Sequence, residues 1–297
     1  MLFRSETAEE FAQALYDLYD ASRPITNIQL WSGRASDVGQ VRQINEDSVL
    51  TLEANVLEHE GILPIGLYVV ADGMGGHQSG EVASSIAART IGAVVNTSLI
   101  APLVAGDPVA CDATTCASLL QQAVSEANRR IAELAQERHS DLGTTVTAAL
   151  IVGNQLTVAN VGDSRTYLWR EGQLAVVTKD HSLVAQLVAA GQITAEEVYT
   201  HPRRNEIYRA LGDPHLTNAE VDTFSHILQP GDGVLLCSDG LWDFVRDPII
   251  NALLDNMTDE DPQTVCRSLV DRANSVGGED NISTIYVRIV SPMNSDE

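Results

Sequence analysis

Basic residues are scarce in this chain. Its 297 residues carry 18 Lys and Arg against 41 Asp and Glu, a net charge of -23. That imbalance argues against nucleic acid or an anionic membrane surface as the main partner, since both demand an excess of cations. An anionic substrate stays open, provided a cation stands locally in the site. Cysteine is sparse as well. Cys111, Cys116, Cys237 and Cys266 lack zinc-ligand spacing, and Cys237 ends an apolar run, VLLC, that reads as core. The seven histidines are scattered and suggest no zinc cluster. No apolar stretch approaches the ~20 residues needed to cross a bilayer, so no membrane insertion is expected. No signal peptide is apparent, which with this cysteine usage gives the expectation of a reduced, cytoplasmic protein. Internal repeats, low-complexity tracts and Pro/Ser-rich linkers are also absent after residue 30, making one domain the simpler reading.

Hydrophobic residues make up 44%, enough for a substantial core in a chain of this length. Phe11, Leu15 and Leu18 recur at helical spacing, predicting an amphipathic helix that Ser22-Arg23-Pro24 stops. Ile28 to Trp31, Ser48 to Leu52 and Ile65 to Ala71 read as strands, and Gly80 to Val95 as a buried helix. Leu99 to Cys116, with Pro102, Gly106 and Pro108, reads as a loop before a long amphipathic helix through Leu120, Val124, Ala127, Ile131 and Leu134. From Thr144 to Val177 the pattern turns to β, with Gly153-Asn154, Gly162-Asp163 and Glu171-Gly172 as turns of an antiparallel meander. Strands return at Val221 to Leu228, Gly233 to Cys237 and Ile282 to Ile289, with helices near Pro248 to Leu254 and Pro262 to Ala273. Without regular βαβ alternation, helices packed outside antiparallel sheets are favoured over a doubly wound parallel sheet.

Four places share one form: a carboxylate at the end of an apolar strand beside glycine or asparagine. They are INED (Glu46, Asp47), VVADG (Asp72), VLLCSDG (Asp239) and GGEDN (Glu279, Asp280). Each alone is an ordinary turn or cap. Together they suggest a hard divalent cation, because acids brought near one another need positive charge between them, and Mg²⁺ and Mn²⁺ take oxygen ligands. From the residues alone, turns and a metal site remain balanced.

The chain resembles the metal-dependent protein phosphatase 2C (PPM) family in its compact bacterial form. The resemblance rests on SDVGQVRQINED, VVADGMGGH, GTTVTAAL, VGDSRTYL, KDHSL, HPRRNEIYRALG, CSDGLWD and GGEDNIS, in family order over about residues 30 to 290. It implies an α+β fold, a four-layer α/β/β/α sandwich of two antiparallel sheets flanked by helices, with a binuclear Mg²⁺ or Mn²⁺ centre. The organisation it implies is an N-terminal extension at 1–29, a phosphatase domain at 30–290 with a flap at about 182–211, and a tail at 291–297.

Carried over motif by motif, Asp72 bridges the two ions and the Gly73 carbonyl binds one of them. Asp239 and Asp280 hold the first ion and Glu46 serves the second, while Asp47 orients the attacking water. Arg42 grips the substrate phosphate, with an ordinary surface arginine as the alternative. Asp141, two residues before Gly143, is the candidate for a third, weaker metal; otherwise it is a loop acid. In the flap, His201, Arg203 and Arg204 either help bind substrate or anchor the flap. Asp163 reads as structural, turning between strands. Met74 stands where animal-type members carry a histidine proposed as general acid, leaving His77 or water to that task. The implied activity is hydrolysis of phosphoserine and phosphothreonine in proteins by an activated water or hydroxide, opposing a Ser/Thr kinase, by a monomer. A non-catalytic phosphoprotein binder and a phosphatase of partner-switching regulators are the competing readings.

Overall fold

The computed structural model of the protein describes residues 28–58, 61–74, 80–107 and 109–291. The expected N-terminal helix, His77 and residues 292–297 lie outside them. The described strands are β1 (Gln29–Asp37), β2 (Asp47–Glu58), β3 (Gly61–Met74), β4 (Gly143–Thr144), β5 (Val146–Val152), β6 (Gln155–Val161), β7 (Arg165–Arg170), β8 (Gln173–Val176), β9 (Asp222–Ile227), β10 (Gly233–Cys237) and β11 (Ile282–Val290). The helices are α1 (Gly80–Val95), α2 (Ala101–Ala105), α3 (Ala113–Arg138), α4 (Leu183–Ala189), α5 (Asp239–Trp242), α6 (Asp247–Asn256) and α7 (Pro262–Ser275).

Two antiparallel sheets form, ordered β1-β11-β10-β7-β8 and β2-β3-β5-β6-β9, with β4 pairing the end of β3. Strand β3 shows why they stack. Its run from Leu67 to Ala71 is apolar at every position because both faces are covered. Leu67, Val69 and Ala71 join Ile91 of α1 and Leu120 and Val124 of α3 in one core. Tyr68 and Val70 point the other way, into a core shared with Leu236 of β10 and Val287 of β11. The outer face of the first sheet contributes Tyr167, Leu235 and Tyr286 to a third core with Leu269 of α7. Helices, sheet, sheet, helices is thus the four-layer α+β sandwich that the resemblance implies.

Three expectations differ from the fold. The meander is not one sheet: β5 and β6 form a hairpin in the second sheet, and Gly162-Asp163 then carries the chain across to β7 in the first. The stretch read as a loop is partly helical, with a π turn at Asn96–Ile100, then α2, and α3 beginning at Ala113 under an Asp112 N-cap. Leu99 and Leu103 are buried there, and that burial offsets the weak propensity of the Pro/Gly-rich stretch. Finally, Gly80–Ala105 is long and apolar enough to cross a membrane, with a mean hydropathy of 1.4 over its best window. Half of that window is buried inside the protein, where it serves the helix–sheet core.

Ile91 is fully buried between α3 and the β2–β3 hairpin layer. Ile91→Ala is expected to cost about 2–5 kcal/mol in urea unfolding, with the denaturant slope unchanged.

Candidate active site

The ends of β2 and β3 bring the first acids together. Register pairs Asp47 with Asp72 directly across the two strands. The backbone of Asp72 is held by the GTT motif: its carbonyl accepts from Thr145 N at 2.8 Å and from Thr144 Oγ1 at 2.8 Å. Gly73 follows because nothing larger fits, since a Cβ there would lie 2.1 Å from the Gly80 carbonyl oxygen. Its N–H donates to the Glu46 carbonyl at 3.2 Å, tying INED to VVADG.

A third motif clamps the same loop. Asn281 Oδ1 accepts from Glu46 N at 2.8 Å, and its Nδ2 donates to the Val38 and Ile44 carbonyls at 3.0 Å. The neighbouring Asp280 pairs with Arg42 Nη2 at 2.7 Å. Burial opposes the charge on that guanidinium, but Asp280, Glu46 and Asp72 raise its pKa overall. Ser238, at the end of β10, donates to Asp47 Oδ2 at 2.8 Å, and the next residue, Asp239, opens α5 beside Asp72.

These elements enclose a cavity of about 240 Å³ lined by Arg42, Glu46, Asp72, Gly73, Met74, Thr145, Asp163, Asn205, Ile207, Asp239 and Asp280. Its electrostatics are unfavourable as they stand. Burial first, then Asp47, Asp239 and Asp163, push the Asp72 carboxyl far above the usual range. Burial and the charges of Asp163 and Asp280 do the same to Asp239. Asp47 is pushed up to about 6 by burial, against the hydrogen bonds of Ser283 and Ser238. Asp163 rises to about 7 through burial and the charge of Asp180.

Asp47 Oδ1 and Asp239 Oδ1 are buried with no hydrogen-bond partner among the described residues. Orphaned, mutually repelling carboxylate oxygens fit divalent cations, which supply the missing positive charge. No three acidic, histidine or cysteine side chains among the described residues are already closed around a single point. The set suits Mg²⁺-like ions, which keep several waters and take few carboxylates each.

The structure therefore brings together Arg42, Glu46, Asp72, Gly73, Asp239 and Asp280 around one cavity, with Asp47 behind Asp72. Four predicted residues stand elsewhere. Asp141 lines a neighbouring groove rather than this cavity. Arg203 is held by Glu206 at 2.6 Å, and Arg204 by Asp243 at 2.9 Å. His201 Nδ1 accepts from Arg203 N at 3.1 Å. Of these contacts, Arg204–Asp243 ties the flap to the scaffold, while those of His201 and Arg203 stay within the flap. Asp163 was underestimated: the Gly162-Asp163 crossover delivers it, 4% exposed, into the cavity. It had the same signal as the other acids, a carboxylate beside glycine at a strand end.

The protein phosphatase 2C family model matches residues 42–278, a span that contains Arg42 and Asp239 and stops two residues before Asp280. The chain belongs to the protein phosphatase 2C family. It is 37% identical over 258 residues to the serine/threonine phosphatase stp of Listeria monocytogenes, covering 85% of this chain and 93% of that protein. Against the serine/threonine protein phosphatase PstP of Mycobacterium tuberculosis it is 38% identical over 262 residues, covering 86% of this chain and 44% of PstP. The crystal structure of the Mycobacterium tuberculosis phosphatase PstP/Ppp superposes with a TM-score of 0.72 at 34% identity, covering 87% of this chain and 98% of that one. The PstP catalytic domain in complex with two manganese ions gives 0.71 at 34% identity, covering 89% and 99%. As a phosphatase 2C chain this protein is a protein phosphatase enzyme, of a family that uses Mn²⁺ or Mg²⁺.

The raised carboxyls make a signed prediction for the phosphatase without metal. Folded Asp47 and Asp163 keep protons that the unfolded chain has lost above pH ~4, so stability falls as pH rises from about 4 to about 7. In EDTA, Asp163→Asn should flatten this slope and raise the melting temperature near pH 8. Mn²⁺ should raise the wild-type melting temperature more at pH 8 than at pH 5.5. Melts of the two proteins across this range check it.

Proposed function

We propose that this phosphatase hydrolyses phosphoserine and phosphothreonine in proteins by direct attack of water on phosphorus. In the cell it opposes a Ser/Thr kinase, acting as a cytoplasmic monomer. The observation that carries the chemistry is the convergence of Asp72, Asp280 and Asp239, the last with a partnerless Oδ1, on one small cavity that the Arg42 guanidinium also lines.

Asp72, Asp239, Asp280, Glu46 and the Gly73 carbonyl are the groups that would hold two cations. When bound, such ions lower the pKa of water and offset charge on the phosphoryl oxygens. Arg42 is half-exposed at the mouth, so its planar fork can take two oxygens of the incoming phosphate group. Asp47 is half-buried and its Oδ2 accepts from Ser238, while its partnerless Oδ1 is the atom that would orient a water and accept its proton. Met74 carries no proton to donate. The leaving serine or threonine oxygen is protonated by solvent or by His77, which lies outside the described residues.

A covalent cysteine mechanism has no support. All four cysteines are buried, and burial pushes the Cys116 and Cys266 thiols up to about 12 and that of Cys237 higher. A nucleophilic thiol needs the opposite shift. Cys116, Cys237 and Cys266, outside any disulfide, also suit a reducing compartment. Opposition to a kinase is supported by the relatives named serine/threonine phosphatases and by the retained acid set.

The test is hydrolysis of p-nitrophenyl phosphate and of a phosphothreonine peptide, with EDTA and with Mn²⁺ or Mg²⁺. Activity should vanish in EDTA and return with either ion. Asp239→Asn should lose on the order of 100-fold or more in kcat/KM, a size set by removal of one key electrostatic group. Arg42→Ala should weaken phosphate binding and raise KM. Turnover that survives metal removal would overturn the mechanism.

A further inference from the structure

Beside the acidic cavity runs a second and larger depression of about 680 Å³. That volume is in the range of ligand-binding clefts. Met74 and Ile207 line both, so the two spaces are neighbours. Gly143 lies on the groove lining beside Met74: a Cβ there would meet Met74 Cγ at 3.1 Å and the Leu211 carbonyl oxygen at 3.3 Å. The groove is stabilised beneath by the bridge between Thr144 and Leu211, which joins the end of the flap to β4.

Its chemistry is selective. Leu142 and Leu211 give an apolar floor, while Asp141 and Asp213 are exposed carboxylates on its walls. The cation on the lining, Arg209, is turned to the scaffold: its Nη1 donates to the Glu220 carbonyl at 2.8 Å and lies 3.6 Å from Asp222 Oδ1. Tyr208, 46% exposed, adds an aromatic ring at the edge. Ser140 Oγ is buried in this lining without a hydrogen-bond partner among the described residues.

We propose that this groove binds the substrate segment next to the phosphorylated residue and selects an arginine or lysine there. The proposal rests on the phosphoprotein-hydrolase reading of the cavity and adds which phosphoproteins it takes. An extended chain whose phosphate reaches Arg42 continues over Met74 into the groove. A long basic side chain would lay its methylenes on Leu142 and Leu211 and present its charge to Asp213 and Asp141. The Tyr208 face offers a further contact for a guanidinium. An acidic neighbour would meet two carboxylates and no free cation in this lining, in a chain already at -23. Selection therefore works by repulsion as well as attraction.

The experiment compares kcat/KM, with Mn²⁺ present, for phosphothreonine peptides in which arginine, alanine or glutamate is moved through the positions flanking the phosphothreonine. At one flank, arginine should exceed glutamate by roughly threefold to tenfold, the size of a rim ion pair, and the ratio should shrink in high salt. Asp213→Asn retains an oxygen for the His215 N–H that Asp213 Oδ1 now accepts at 2.8 Å. That variant should lower the ratio severalfold through KM and leave p-nitrophenyl phosphate turnover unchanged. Equal rates for arginine and glutamate peptides at every position would overturn the groove assignment alone. So would an unchanged ratio in Asp213→Asn. Loss of turnover on all substrates, alanine peptide and p-nitrophenyl phosphate included, would instead strike the hydrolase reading beneath it.

Discussion

Repulsion among buried carboxylates at the ends of the central strands is the constraint on which the rest of this structure depends. Asp47 and Asp72 face each other by strand register, Asp239 is brought to Asp72 from the end of β10 in the other sheet, and Asp163 from the crossover between the sheets. Alone, such a group would shed its charge or drive the strand ends apart. Much of the surrounding architecture prevents the second outcome. Thr144 and Thr145 hold the backbone of Asp72, Ser238 holds Asp47, and Asn281 fixes the loop that carries Glu46. The polar network is therefore a frame that keeps like charges in place for cations to neutralise. A rigid double sheet makes this possible, because tightly packed interiors such as those around Tyr68 and Val287 do not relax to separate the acids.

The same constraint explains why the motifs are shared across the fold rather than confined to one loop. The acids come from β2, β3, the β6–β7 crossover, the end of β10 and the start of β11, elements far apart in sequence. Each sheet contributes part of the set, so the site exists only when the sandwich has formed. The flap has a different task. Its Arg203 and Arg204 pair with Glu206 and Asp243, whereas the arginine on the cavity lining is Arg42.

Much of this was legible in the sequence, for a physical reason. Asp72 follows a strand that is apolar at every step, and Asp239 follows VLLC, so each acid announces the end of a doubly covered strand. Gly73 was legible because only a glycine permits the close approach of Gly80. Asp163 carries the same strand-end signal, but Gly162-Asp163 also looks like any hairpin turn and nothing local says that the chain changes sheets there. The flap arginines were left between two readings. Residue type allows peptide recognition or flap anchoring, and partners such as Asp243 are fixed only by tertiary packing. The Leu99 to Cys116 segment shows the same limit, because burial of Leu99 and Leu103 overrides its prolines and glycine.

If cations are what the buried acids await, binding must expel the protons that now suppress their charge. Calorimetric titration of the metal-free protein with Mn²⁺ at pH 7, in two buffers of different ionisation enthalpy, measures this directly. The account predicts two ions per chain in the core site and release of about one proton or more, with both signals reduced in Asp239→Asn. Binding without proton release, or the same stoichiometry and proton count in that variant, would contradict it.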